Sequence, residues 1–231
     1  MVIKISRYTK KKINKSKLKS KSKSKSQFKS QSKINFQLHK KHDNAYLKPF
    51  SRLSYKELQE LSTITIDRKI MKTIGKGNIW TLEDLKKFQK EESIENNKYS
   101  SPDKYHLRNH FTYILMIAEN GLYKPIGFIE GRKNIKLLPK TISKNNNYDL
   151  LMRMFISRGY AGKGFGKLII KLFIETYSGM IKKSFKLYSD IDPDNIASIK
   201  IHLNNGFLPN GTYKYPNGKI YNRYVYSYLF V

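Results

Sequence analysis

Residues Asp149 to Ser157 read DLLMRMFIS, Arg158 to Gly166 read RGYAGKGFG, and Lys167 to Tyr177 read KLIIKLFIETY. In the first of these, Met152, Met154 and Ile156 fall on one side of an extended chain. Leu151, Arg153 and Phe155 fall on the other, which is the period-two pattern of a strand. Gly159, Gly162, Gly164 and Gly166 then crowd into eight residues. Phe165, Leu168, Ile169 and Leu172 recur at helical spacing, with Lys163, Lys167 and Lys171 on another stripe. Phe185 to Ile191 (FKLYSDI) reads as a second strand. Ile196 to Phe207 (IASIKIHLNNGF) reads as a second helix, entered through Asp192-Pro193-Asp194-Asn195 and stopped at Gly206. Ile196, Ile199 and Leu203 predict its packed face and put His202 at the edge of that face.

The order strand, glycine turn, helix has a chemical consequence. Where side chains are absent a phosphate can approach the backbone, and free N–H groups at a helix N-terminus with lysines nearby suit a pyrophosphate. A tight turn with no ligand is the other reading. Two familiar phosphate loops do not fit. A dinucleotide fingerprint needs G-x-G-x-x-G with an acid about 20 residues on, and Gly162-Lys163-Gly164-Phe165-Gly166 does not continue that way. A Walker loop needs G-K-[ST], and Gly164 follows Lys163 here.

Upstream, Phe111 to Glu119 (FTYILMIAE) and Lys124 to Gly131 (KPIGFIEG) predict two strands joined at Asn120-Gly121, followed by a polar loop up to Asn147. Further back, Ser54 with Glu57 and Thr81 with Asp84 form capping-box patterns. The first helix carries Leu58 and Leu61 inward, and the second runs to about Ile94. Thr63 to Lys76 gives no clear signal, and Asn96 to Asn109 reads as a polar loop. Tyr46 to Leu53 predicts a short first strand with a turn. Downstream, Gly211 to Tyr215 and Ile220 to Val231 flank Pro216-Asn217-Gly218-Lys219, a hairpin signal. The resulting order, β-α-α-β-β-β-α-β-α-β-β, predicts an α/β (α+β) domain built on a mixed sheet with helices on both faces.

Of the 231 residues, 46 are basic and 17 acidic, a formal charge of +29. Residues 1–41 hold 14 Lys and one Arg and no acid, including KSKSKSKS over 19–26. Such a stretch buries too little to offset its ordering entropy, so residues 1–45 read as a disordered basic tail and 46–231 as the folded domain. The tail is either an electrostatic tether to nucleic acid, ribosome or anionic membrane, or a solvated tail with no specific partner. Less the tail's 15, the 31 remaining basic residues still outnumber the 17 acidic ones. The chain has no cysteine, which excludes disulfides, thiolate metal sites and a Cys nucleophile. No apolar run approaches the length of a membrane span. An intracellular, cytoplasmic or nuclear, location is the expectation.

Residues 149–207 resemble the GNAT N-acetyltransferase superfamily. Gly164-Phe165-Gly166 matches the second half of its R/Q-x-x-G-x-G/A loop, and Ala161 stands at the usual Arg or Gln position. That departure removes one side-chain contact and leaves the backbone donors. The spacing Asn195, Ala197, Gly206-Phe207 matches the downstream motif, with His202 where many members have Tyr. The order of elements is also the family's, over residues 46–231. LKPF, IGKGNIWTLEDLKKF and Asn195 to Ser198 look most like the branch that acetylates N-terminal amines of ribosomal proteins.

The resemblance implies a mostly antiparallel sheet whose central strand pair splays apart, and acetyl-coenzyme A as co-substrate with no metal. The acceptor would be a primary amine on a protein N-terminus, a lysine or a small molecule. It implies cofactor contacts from Met154, Phe155 and Ile156 on the strand, from Ala161, Gly162, Lys163, Gly164, Phe165, Gly166 and Lys167 in the turn, and from Asn195. Asn195 is open to a second reading as a helix cap. With no Cys, the acetyl group moves directly from thioester to amine. His202 is the candidate acid for the thiolate, against a helix-surface His with no role. Glu130, then Asp149, are candidate bases for the amine, against water or backbone. Trp80 and Tyr215 line the acceptor cleft or are packed core. The other functional class is an inactive domain of this fold that holds a polyanion through the basic tail.

Overall fold

The computed structural model describes residues 44–74, 77–133 and 148–231. The expected basic tail, up to residue 43, and the polar loop over 134–147 lie outside the described residues. The strands are β1 (Ala45–Pro49), β2 (His110–Glu119), β3 (Leu122–Arg132), β4 (Leu150–Ile156), β5 (Phe185–Ile191), β6 (Leu208–Lys214) and β7 (Ile220–Tyr228). They form one sheet in the order β1-β2-β3-β4-β5-β7-β6. Every pairing is antiparallel except β4 with β5. The helices are α1 (Tyr55–Thr65), α2 (Arg68–Ile74), α3 (Leu82–Lys98), α4 (Phe165–Ile181) and α5 (Ile196–Leu203).

Each face of the sheet has its own core. Phe111, Leu115, Ile129, Met152 and Leu187 pack under α4, through Ile169 and Phe173. Ile114, Met116, Phe128 and Phe155 pack under α1–α3, through Leu58, Leu61 and Leu85. The alternation read along β4 is thus sorted as expected: Met152, Met154 and Ile156 go to the α4 face and Phe155 to the other. Burying each large apolar side chain stabilises by about 1.5–3 kcal/mol.

Both capping boxes form. Ser54 Oγ accepts from Glu57 N while Glu57 accepts from Ser54 N, and Thr81 and Asp84 do the same. The helical content exceeds the expectation in two places. Arg68–Ile74 is a helix, begun where Asp67 Oδ1 accepts from Lys69 N at 2.8 Å, and it buries Ile70 and Met71. Helix α3 continues to Lys98, past Ile94, and the segment expected to be loop carries a 3-10 turn over Pro102–Leu107. Local polarity hid both, because α3 buries only a narrow stripe.

Helix α4 crosses between the parallel strands and lies close over β3. A Cβ at Gly131 would stand 2.6 Å from both Leu150 Cδ1 and Phe173 Cζ. Both neighbours are fully buried and have no room to swing. Gly131→Ala is expected to destabilise the domain by about 1–3 kcal/mol through overpacking. Urea denaturation measures this, and an unchanged midpoint would show that α4 lifts off the sheet without cost.

Candidate active site

Parallel strands β4 and β5 pair only at Leu150 with Leu187 and Leu151 with Tyr188. Beyond those pairs β4 continues to Ile156 and β5 to Ile191, so the two strands part. The ladder between β3 and β4 shows which groups the parting leaves free. Ser157 N donates to Ile126 O at 2.7 Å, and the register from there to Arg132 and Leu151 is unbroken. Antiparallel residues alternate in the side to which they turn both N–H and C=O. Phe155 and Arg153 therefore bond to β3, while Met154 and Ile156 turn theirs into the gap. Of the three strand residues named from the sequence, Phe155 offers no N–H to the gap.

At the closed end Asp149 Oδ1 accepts from Lys186 N at 2.7 Å, tying the start of β4 to the start of β5. On the far side, Asp190 of β5 is held by Arg223 of β7 (Nε to Oδ1 2.6 Å) and by the Tyr215 hydroxyl (3.0 Å). One wall of the gap is thereby fixed to the C-terminal hairpin.

The glycine turn sits at the open end. Gly162 (φ 75°) and Gly164 (φ 88°) adopt the left-handed conformation, and Gly164 caps α4. A Cβ at either would meet no protein atom within 4 Å. Ser157 O and Arg158 O accept from Tyr160 N and Ala161 N, and Gly164 O accepts from Lys167 N and Leu168 N. The five N–H groups from Gly162 to Gly166 find no acceptor among the described residues. They stand at the positive end of a 17-residue helix, beside the exposed Lys163 and Lys167. Gly166 serves packing, since a Cβ there would lie 2.7 Å from Ile201 Cδ1 of α5. Phe165 packs edge-on against Tyr160, and Lys163 Nζ lies 5.2 Å over the same ring.

The candidate acids and bases are placed as follows. His202 is not at the edge of the packed face of α5 but at its centre, 1% exposed, while Ile196 and Leu203 face outward. It stands against Phe207. Burial lowers its pKa from 6.5 to about 4, although the contact with Ser198 O opposes this. Nδ1 lies 2.8 Å from that carbonyl and so carries the ring's one proton, and Nε2 is buried without a partner. A neutral ring with its proton committed to a carbonyl is poorly suited to protonating a thiolate.

Glu130 is fully buried on β3, bonded to His110 Nδ1 at 2.8 Å and to Arg153 Nε. Burial alone would raise its pKa, but His110 and the Arg153 charge outweigh that and hold it well below the usual carboxylate range. It is a permanent anion that fixes Arg153 and His110, and it has little affinity for an amine's proton. Asp149 stands at the closed end of the strand pair, away from the gap's mouth, with burial raising its pKa. Asn195 Oδ1 accepts from Ser198 N at 3.1 Å, the cap reading.

Trp80 lines a cavity of about 740 Å³ on the α1–α3 face, together with Phe88, Glu91, Glu95, His110 and Arg153. Arg153, next to Met154 on β4, is the one residue of the gap-forming strands in that lining. Tyr215 is not part of that lining.

The sequence model of the acetyltransferase (GNAT) family matches residues 79–207. A probable spermine N(1)-acetyltransferase of Bacillus subtilis subsp. natto (strain BEST195) is 31% identical over 104 residues, covering 42% of this chain and 68% of the relative. The spermine/spermidine N(1)-acetyltransferase of Bacillus subtilis (strain 168) aligns to the same extent. Among solved structures, aminoglycoside acetyltransferase AAC(6')-Ib with coenzyme A superposes with a TM-score of 0.56 at 19% identity, over 79% of this chain and 94% of that one. The ribosomal L7/L12 α-N-protein acetyltransferase RimL with coenzyme A gives 0.56 at 15%, over 79% and 93%. At such identities the superpositions establish the fold.

The buried His202 makes a pH test of its placement. Its folded pKa lies below its unfolded one, so its contribution to stability is complete above about pH 6.5. That contribution is lost as the pH falls towards 4. The loss is on the order of 3 kcal/mol. Denaturation curves across that window are expected to fall more steeply for the wild type than for His202→Phe. Parallel curves would place the ring in solvent.

Proposed function

Because this chain belongs to the acetyltransferase (GNAT) family, we propose that it moves the acetyl group of acetyl-coenzyme A onto a primary amine, with both substrates bound at once. The observation that carries this is the parting of β4 and β5 beside five unfilled backbone donors. An extended pantetheine arm can pair with the edge groups of Met154 and Ile156 as an added strand. The pyrophosphate fits the amides of residues 162–166, with Lys163 and Lys167 adding charge at the rim. Ala161 supplies no side-chain donor, so the backbone bears more of the binding. The Met154 N–H is the donor best aimed at the thioester oxygen as it gains charge. Water at the open end of the gap protonates the departing thiolate, since His202 has no proton free to give. We place the reaction inside the cell, in the cytoplasm or the nucleus.

For the acceptor we favour a small, flexible polycationic amine. Four carboxylates of α3, Asp84, Glu91, Glu92 and Glu95, line one cavity and outnumber the cations Lys98, Arg132 and Arg153 in the same lining, in a chain that is otherwise strongly basic. The rings of Trp80 and Phe88 in the same lining suit an ammonium group. The two Bacillus relatives are named for polyamine acetylation. Incubating the protein with acetyl-coenzyme A and a panel of spermidine, spermine, aminoglycosides, lysine peptides and peptide N-termini, read by mass spectrometry, decides the class. Polyamines are expected to turn over fastest. Preference for a peptide N-terminus would overturn the acceptor while leaving acetyl transfer, and no product from any amine would overturn both.

Gly164→Val tests the binding turn. A Cβ there meets no protein atom within 4 Å, so valine enters the open space beside the free amides, at the cost of straining a turn whose φ of 88° disfavours any side chain. Calorimetric affinity for acetyl-coenzyme A is expected to fall at least tenfold while circular dichroism stays native. An unchanged affinity in the folded variant would move the site elsewhere.

The tail is proposed to hold nucleic acid, free or on the ribosome. Removing residues 1–41 is expected to leave affinity for acetyl-coenzyme A unchanged and to flatten the salt dependence of RNA binding, because fewer counterions are released. Equal slopes would assign RNA binding to the folded body.

A further inference from the structure

Helix α3 turns Leu85, Phe88 and Glu92 to its inner side, at the i, i+3, i+7 spacing of a packed face. The first two are apolar, while the third is an acid 96% buried that lines the cavity. Glu92 makes no ion pair among the described residues, and its Oε1 is buried without a hydrogen-bond partner. The Thr112 hydroxyl faces it from β2 without reaching hydrogen-bond geometry, and is itself buried and unpartnered. Glu130 is different, since it sits on the same side of the sheet with its charge fully matched. An uncompensated buried carboxyl is costly, and persists where a ligand supplies the missing partner.

We propose that Glu92 removes the proton from the acceptor's ammonium group inside this cavity, on the amine-acetylation reading above. The ammonium gives one proton to a Glu92 carboxylate oxygen. The freed lone pair forms the N–C bond to the thioester carbonyl, the C–S bond breaks, and its electrons leave on sulfur. The adduct nitrogen loses its second proton to water, which returns one to the thiolate, and Glu92 releases the first to solvent. The products are an acetamide and a thiol, with one net proton set free.

The surroundings tune the acid for this task. Burial raises its pKa from 4.5 to about 8, with the Glu130 and Glu95 charges adding to the rise and Thr112 and Arg108 opposing it. The other charged or titratable groups around it are Asp84, Glu91 and Lys98 on its own helix, Tyr99 just past it, His110 and Tyr113 on β2, Arg132 on β3 and Arg153 on β4. A base with a pKa near the working pH combines the right protonation state with enough basicity.

The test uses the full chain with spermidine as probe. With burial raising its pKa to about 8, Glu92 is expected to be mostly protonated in the empty cavity at pH 7. A bound pair ready for reaction, whether carboxylate with ammonium or carboxylic acid with amine, contains one proton fewer. Calorimetric titration in two buffers of different ionisation enthalpy is expected to show close to one proton released by the wild type and none by Glu92→Gln. The same substitution is expected to lower kcat with spermidine by roughly 10²- to 10⁴-fold, and to leave the Kd for acetyl-coenzyme A unchanged. Glu92→Asp should recover part of the rate.

Several results would overturn the assignment: no proton release, equal release by Glu92→Gln, a Glu92→Gln kcat within twofold of wild type, or no spermidine binding. Should Glu92→Gln fail to fold, absence of proton release from the wild type still overturns the assignment, and Glu92→Asp takes the variant's place in the rate comparison. Proton release without acetyl transfer to any amine would instead sink the enzymatic reading and keep Glu92 as a cation-binding group.

Discussion

Strands β4 and β5 share a sheet but pair over two residues only, and the rest of the domain is arranged around keeping them apart beyond that point. Two adjacent strands close up unless each is held by its other neighbour. On one side β4 is paired with β3 from Leu151 to Ile156. On the other, β5 pairs with β7 at all seven residues, and β7 with β6. The clamp at the closed end is Asp149 on Lys186 N. Helix α4 must make the crossover between the two strands, and its N-terminus arrives at the open end as a result. The gap and the glycine turn with its free amides are two outcomes of one parallel connection in an otherwise antiparallel sheet.

The buried charges fit that arrangement better than they fit a stability role. Arg223 and Asp190 are almost wholly buried, with side-chain exposures of 4% and 3%. Desolvating such a pair cancels most of its attraction, and apolar replacements of equal volume are often as stable. What the pair does provide is direction. A bidentate fork fixes the angle between β5 and β7 at the gap's wall, with Tyr215 as a third contact. Glu130, His110 and Arg153 do the same across β2, β3 and β4 on the opposite side.

Elements with strong local chemistry were legible in the sequence. Strand β5 falls on its expected bounds of Phe185 and Ile191, both capping boxes form, and the Asn120-Gly121 turn sits between β2 and β3. Periodicity over long apolar runs and backbone-specific residues decide these cases. Helix α2 is seven residues long, three of them basic, and too short to show a period. His202 was misplaced because hydrophobicity marks Ile196 and Leu203 as inner residues of α5. The close approach of α4 at Gly166 instead turns Ile201 and His202 inward. The site divides in the same way. The turn is local and readable, whereas the role of each carboxylate depends on partners 20 or more residues away. Glu92 did carry a signal, an acid seven residues after Leu85 and four after Phe88 on an inward stripe, but its weight appears only once β2 and β3 are seen to cover it.

Glu130 and Glu92 show why such roles need the fold. As amino acids they are the same acid, and the sequence favours Glu130 because it ends a strand near the expected gap. Environment then drives them apart. Glu130 gains a hydrogen bond from His110 and the charge of Arg153, and its pKa falls well below the carboxylate range. Glu92 gains burial without an ion pair among the described residues, the Arg108 charge only partly opposing it, and its pKa rises to about 8. The two are coupled, since the fixed negative charge of Glu130 is itself one cause of the rise at Glu92. A paired anion that cannot accept a proton thus helps keep a second carboxyl able to exchange one near neutral pH. Divergent pKa values in neighbouring acids are the usual mark of divided acid–base labour, and here one carboxylate holds Arg153 and His110 while the other lines the cavity beside them.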